Sequence, residues 1–102
     1  MELTEALQWR YAAKRMNGRT VAPAQLNPIL EAIRLAPSSR GLQPYQVLVV
    51  SSSELKSQIQ PIADHQPQVV ECSHLLILAV WNHVTQVQIE QFIAYAAKER
   101  GI

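Results

Sequence analysis

The sequence predicts a mixed helix–strand chain in which a short sheet is sandwiched between helical layers. Three observations carry that expectation. Val47-Leu48-Val49-Val50 and Leu75-Leu76-Ile77-Leu78-Ala79-Val80 are unbroken apolar runs of strand length, the pattern of strands covered on both faces. Apolar residues recur at helical spacing before, between and after those runs. Two Ser/Thr-x-x-Glu/Gln boxes, Ser51 with Glu54 and Thr85 with Gln88, mark helix starts directly after each strand.

From the N-terminus, Thr4 is placed to cap a first helix carrying Leu3, Ala6 and Leu7 and leading into Trp9-Arg10-Tyr11. Asn17-Gly18-Arg19-Thr20 reads as a turn. A second helix spans about Pro23 to Leu35, with Leu26, Ile29, Leu30 and Ile33 on one face. Pro28 removes an amide donor there, so this helix either kinks or starts at Asn27; Pro37 ends it. After the first strand, the helix opened by Ser51 presents Leu55, Ile59 and Ile62. His65 to Cys72 reads as a short helix or irregular turn. The last helix follows Thr85, has Val84 and Ile89 as a hydrophobic staple, turns Ile89, Phe92, Ile93 and Ala96 inward and ends near Gly101.

Composition narrows the function classes. The 102 residues suffice for one domain and one core, and 48% hydrophobic with 17% charged residues is the balance of a soluble globular protein. A net charge of +1 gives no electrostatic footprint for nucleic acid or an anionic membrane. Cys72 is the single cysteine, which excludes an internal disulfide and suits a reducing cytoplasm. Glu2 and Glu5 stand where a secretion signal would be basic, and the run Leu75 to Trp81 is far short of the roughly 20 residues of a spanning helix. Two strands make a marginal sheet, so the sequence reads as structurally incomplete, with edges left for another molecule or further strands.

Ala36-Pro37-Ser38-Ser39-Arg40-Gly41-Leu42-Gln43-Pro44-Tyr45, between the second helix and the first strand, is the first candidate for a binding site. Its backbone amides and adjacent hydroxyls suit a planar polar ligand. Ser38 and Ser39 lack a nucleophile-elbow context and an assignable base, so turn stabilisation outranks catalysis for them. Arg10, Lys14 and Arg15 form a basic cluster at the end of the first helix. Arg10 and Lys14 fall on one face if that helix continues, either as an anion site or as a solvated basic end favoured by the helix dipole. His65, Cys72, His74 and His83 do not have the spacing of a closed metal site, and Cys72 reads as a small apolar packing residue. Trp9, Tyr45 and Trp81 read as core or interface aromatics.

Together these segments resemble the nitroreductase family of FMN-dependent NAD(P)H oxidoreductases. The resemblance is carried by Trp9-Arg10-Tyr11-Ala12-Ala13-Lys14-Arg15, the whole serine loop, Gln66-Pro67-Gln68-Val69 and Ser73-His74-Leu75, in register over nearly all of the chain. The Pro-Ser-Ser and Gln-Pro-aromatic segment is its specific part.

The resemblance implies an α+β fold, a three-layer α-β-α arrangement of which this chain is the N-terminal half, with the sheet completed by dimerisation. It implies a cytoplasmic homodimer with FMN at the interface, passing hydride from NAD(P)H to a nitroaromatic, quinone or related acceptor. By resemblance, Arg10 contacts the FMN phosphate or ribityl chain, with Tyr11 and Ala12 alongside through backbone groups. Lys14 lies by the pyrimidine edge. Pro37, Ser38 and Ser39, with Gln43 in the same loop, reach the flavin held mainly by the partner subunit. His65 stands where many members carry a flavin-bonding asparagine, and Gln68 follows on that segment. Ala12 replaces a frequent serine, and the second half of the family fold is missing. The competing expectation is a non-catalytic module that self-associates through unpaired strands and apolar helix faces.

Overall fold

The computed structural model describes residues 1–102. Five helices and two strands follow in the order α1 (Leu3–Trp9), α2 (Pro23–Leu35), β1 (Tyr45–Val50), α3 (Ser53–Ile59), α4 (Pro67–Glu71), β2 (Leu75–Val80) and α5 (Gln86–Arg100). Single 3-10 turns occupy Ser39–Gly41 and Gln60–Ala63. The chain divides into two compact units. The first joins Met1–Val21 to Val50–Leu75; the second joins Ala22–Val49 to Leu76–Ile102.

In the first unit, α1 begins after Glu2, not at Thr4, and the Glu5 carboxylate accepts the Glu2 amide at 3.2 Å. The helix stops at Trp9, so Arg10 through Val21 is irregular chain and the basic cluster stands beyond the helix. Asn17–Thr20, read as a turn, is irregular chain without a bend: Asn17 Oδ1 accepts the Arg19 amide at 2.9 Å and Gly18 sits at φ 79°. Trp9 is 78% exposed and is no core aromatic. Ser52, one residue later than expected, caps α3 by accepting the Leu55 amide. α3, α4 and the Gln60–Ala63 turn pack on one another.

The inward face of α3 departs from the apolar pattern. Leu55 is half-exposed and Ile62 lies almost wholly in solvent, while Lys56 is 6% exposed. The 3.6-residue period identified a helix but not its rotation, because α4 covers only one narrow stripe of it. Val69 of α4 is the one buried apolar residue of this unit.

In the second unit, α2 runs unbroken through Pro28 from Pro23, with Pro23 in its first turn, which excludes a start at Asn27. Ala36, extended before Pro37, ends it. The Trp81 amide donates to the Pro44 carbonyl at 3.0 Å, joining the end of β2 to the start of β1 in an antiparallel pair. That register sets Tyr45, Val47 and Val49 on one face with Leu76, Leu78 and Val80, and Leu48 on the other with Ile77.

The strands are not buried on both faces as their composition predicts. Leu78 and Val80 are exposed on one face and Leu48 on the other, because one pair of strands meets too few helices to be covered twice. α5 starts as expected: Thr85 Oγ1 accepts the Gln88 amide at 3.2 Å and Gln88 Oε1 accepts the Thr85 amide at 2.8 Å. Gly101 closes it in the left-handed conformation. Phe92 and Ala96 are half-buried, whereas Ile89 and Ile93 stay exposed.

Replacing the reciprocal cap tests this end of α5. Thr85→Ala is expected to cost about 1 kcal/mol of helix stability. Amide exchange in the first turns of α5 should accelerate about five-fold, with amides of α3 unchanged.

Candidate functional site

Irregular backbone after α1 carries the N-terminal cations of the first unit. Arg10, Tyr11, Ala12 and Lys14 are all exposed, and neither Arg10 nor Lys14 enters an ion pair. Arg15, the third member of the cluster, is committed elsewhere. Its Nε and Nη2 donate to the two Glu71 carboxylate oxygens at 2.8 and 2.9 Å, a bidentate fork that ties this segment to the end of α4.

That fork, more than the charge itself, holds the Glu71 carboxyl below its ordinary 4.5 and raises Arg15 above its ordinary value. A depressed carboxyl adds stability that is complete above the ordinary value and disappears as pH falls through the depressed one. We therefore expect the Glu71 carboxyl resonance to titrate below the ordinary carboxylate range, and Arg15→Gln to raise it.

His65 and Gln68 belong to the same unit and flank the start of α4. Asp64 and His65 sit consecutively in the left-handed region, at φ 55° and 54°, a strained path for two residues with side chains. Gln60 holds it: its carbonyl accepts the His65 amide at 2.9 Å, and its side-chain amide reaches the His65 and Gln66 carbonyls. Gln68 Nε2 donates to Gln66 Oε1 at 3.4 Å, but Gln68 Oε1 is shielded from water with no donor facing it. A buried acceptor without a partner costs on the order of 1–3 kcal/mol, which a ligand N–H would recover.

Lys56 and His74 also line this unit, around a polar cleft of about 540 Å³. Lys56 Nζ donates to the Cys72 carbonyl at 2.6 Å. Ser73 Oγ accepts the Val21 amide at 2.7 Å and lies 2.7 Å from His74 Nδ1. Sequence reasoning passed over Lys56, since a helix lysine is by default a solvated one and no local signal marks it as buried. Cys72 is half-buried with its thiol on the Val69 carbonyl, as a packing residue would be.

The serine loop belongs to the second unit. Ser38 Oγ accepts the Gln43 amide at 2.8 Å, and Gln43 Nε2 donates to the Arg34 carbonyl at the end of α2 at 2.7 Å. Arg40 and Gln43 take positive φ, at 55° and 48°, so these bonds hold a strained loop. Ser38 thus acts first on the loop's own backbone, the turn-stabilising role favoured for Ser38 and Ser39 from sequence, and the Gln43 side chain ties the loop to α2. Pro37 and Ser39 are exposed, and the Ser39 hydroxyl makes no hydrogen bond within the chain.

The pattern that defines the Nitroreductase family matches residues 7–99. The chain is 30% identical over 102 residues to the major NAD(P)H-flavin oxidoreductase of Aliivibrio fischeri, covering 94% of this chain and 47% of that protein. It is 31% identical over 85 residues to a Staphylococcus saprophyticus protein assigned as an NAD(P)H nitroreductase, covering 81% and 39%. Among solved structures it resembles one from Exiguobacterium sibiricum described as a nitroreductase in complex with FMN. That likeness has a TM-score of 0.75 at 28% identity and covers 99% of this chain and 48% of that one. The chain thus spans between about two fifths and one half of the length of these relatives.

Proposed function

The chain belongs to the Nitroreductase family, and from that premise we propose that it forms part of an NAD(P)H-dependent flavin oxidoreductase using FMN. The observation that carries this reading is the orphaned Gln68 Oε1, buried in the same compact unit that presents the unpaired Arg10 and Lys14. An isoalloxazine offers one ring N–H for such an acceptor, and FMN carries a phosphate dianion for exposed cations. The donor set therefore fits the group.

When bound, FMN would supply the two-electron hydride chemistry. Arg10 binds and orients through a guanidinium fork, with the Tyr11 and Ala12 backbone alongside. Lys14 would supply a fixed positive charge to stabilise the reduced flavin. His65 and Gln68 would offer polar groups at the start of α4, where the Gln60 brace fixes the His65–Gln66 backbone. Pro37, Ser38, Ser39 and Gln43 serve a flavin held by a second copy, so the working unit in this reading is a homodimer. Acceptors are nitroaromatics, quinones or related compounds.

Titration with FMN, followed by flavin fluorescence quenching and by NAD(P)H oxidation with a quinone acceptor, tests the reading. Saturable quenching with turnover supports it; a protein whose thermal stability is indifferent to FMN is not a flavoprotein. A second reading, a self-associating module without flavin, is favoured by the scarcity of buried apolar side chains. It predicts association and no flavin binding.

A further inference from the structure

The polar cleft of the first unit is not needed by the flavin reading, and its chemistry is distinct. We propose that it is an anion-binding site anchored by Lys56, selective for a phosphate group. Lys56 is 6% exposed, yet it enters no ion pair; its ammonium has a single acceptor, the Cys72 carbonyl. Two of its three N–H donors have no protein partner, in a position where burying an ammonium without an anion is costly.

The rest of the lining favours an anion. Thr20, Ser51 and Ser53 bring hydroxyl donors, and Glu71 is the one acid on the wall. Both Glu71 oxygens are occupied by the Arg15 fork, so this carboxylate is neutralised before any ligand arrives. Ser73 Oγ accepts the Val21 amide and lies 2.7 Å from His74 Nδ1. In the tautomer in which the hydroxyl donates to Nδ1, the imidazole carries its hydrogen on Nε2, a further donor on the lining. A volume of about 540 Å³ lies within the roughly 300–1,000 Å³ of small-molecule sites. Free inorganic phosphate and the phosphate of a nucleotide share this chemistry.

Isothermal titration of the purified protein with inorganic phosphate, AMP and adenosine, without FMN, tests the proposal and separates the two sources. Phosphate should bind with a Kd on the order of 1 mM. Tighter binding of AMP identifies a nucleotide phosphate as the occupant, and equal affinities identify the free anion. Adenosine binding as well as AMP, or no phosphate binding at all, overturns the proposal. Lys56→Met, which keeps the stem volume, should weaken phosphate binding by about 10–100-fold, and Lys56→Arg should retain most of it. Should Lys56→Met fail to fold, the wild-type arms and Lys56→Arg decide. Lys56→Met should leave FMN affinity within about two-fold, whereas Arg10→Ala lowers FMN affinity and spares the Lys56-dependent phosphate binding, so either reading can fail alone.

Discussion

On its own in dilute buffer, the 102-residue chain is expected to self-associate, with an unfolding midpoint that rises with protein concentration. Each compact unit is short of apolar burial. The first buries Val69 and the second has no buried apolar residue, and no side chain in either is sealed completely from solvent. Meanwhile Leu48, Leu78 and Val80 of the sheet and Ile89 and Ile93 of α5 remain exposed. Covering one such side chain contributes about 1.5–3 kcal/mol, so burying a handful in a second copy rivals the whole net stability of a small domain, about 5–15 kcal/mol. Leu78→Glu should weaken the association at least ten-fold, since it puts a charge where the strand face seeks apolar cover. Light scattering across a dilution series and thermal melts at several concentrations measure both effects. A monomer with a sharp, concentration-independent transition would contradict the expectation.

Removing the unpaired cations is expected to have the other large effect. Arg10→Ala should weaken FMN binding by about 10–100-fold, the worth of one or two charge-assisted hydrogen bonds to a phosphate. Lys14→Met should act differently. The ground-state affinity should fall less, and the bound flavin should become harder to reduce, because a positive charge no longer balances the reduced ring. Arg15→Gln serves as the control. Arg15 is spent on Glu71 at 2.8 Å, so its loss should loosen the link to α4 with little effect on flavin. Fluorescence titration and a reductive potentiometric titration distinguish the three. Equal losses for Arg10→Ala and Arg15→Gln would mean that net charge, not placed donors, drives binding.

The candidate site was partly legible from residue order. Pro37, Ser38, Ser39 and Gln43 fall in a loop whose prolines, glycine and hydroxyls announce a constrained turn, and the Ser38–Gln43 bond confirms that constraint. Arg10 and Lys14 were visible as cations, but their supposed helical face was not there, since α1 ends at Trp9. The strain at Asp64 and His65 and the orphaned Gln68 oxygen left no trace in the sequence. Each depends on a brace or a cover contributed by other residues.

Local chemistry alone determined several element boundaries: Thr85 and Gln88 cap α5 reciprocally, and Pro37 stops α2. These features rest on interactions within three or four residues, or on backbone sterics, and so can be read from order. Which side chains are enclosed was decided only by tertiary packing. Lys56 went inward while Leu55 stayed out, and two strands composed for double burial leave Leu48, Val49, Leu78 and Val80 exposed. Burial depends on how much surface the neighbouring elements offer, a property that no residue or local pattern carries by itself.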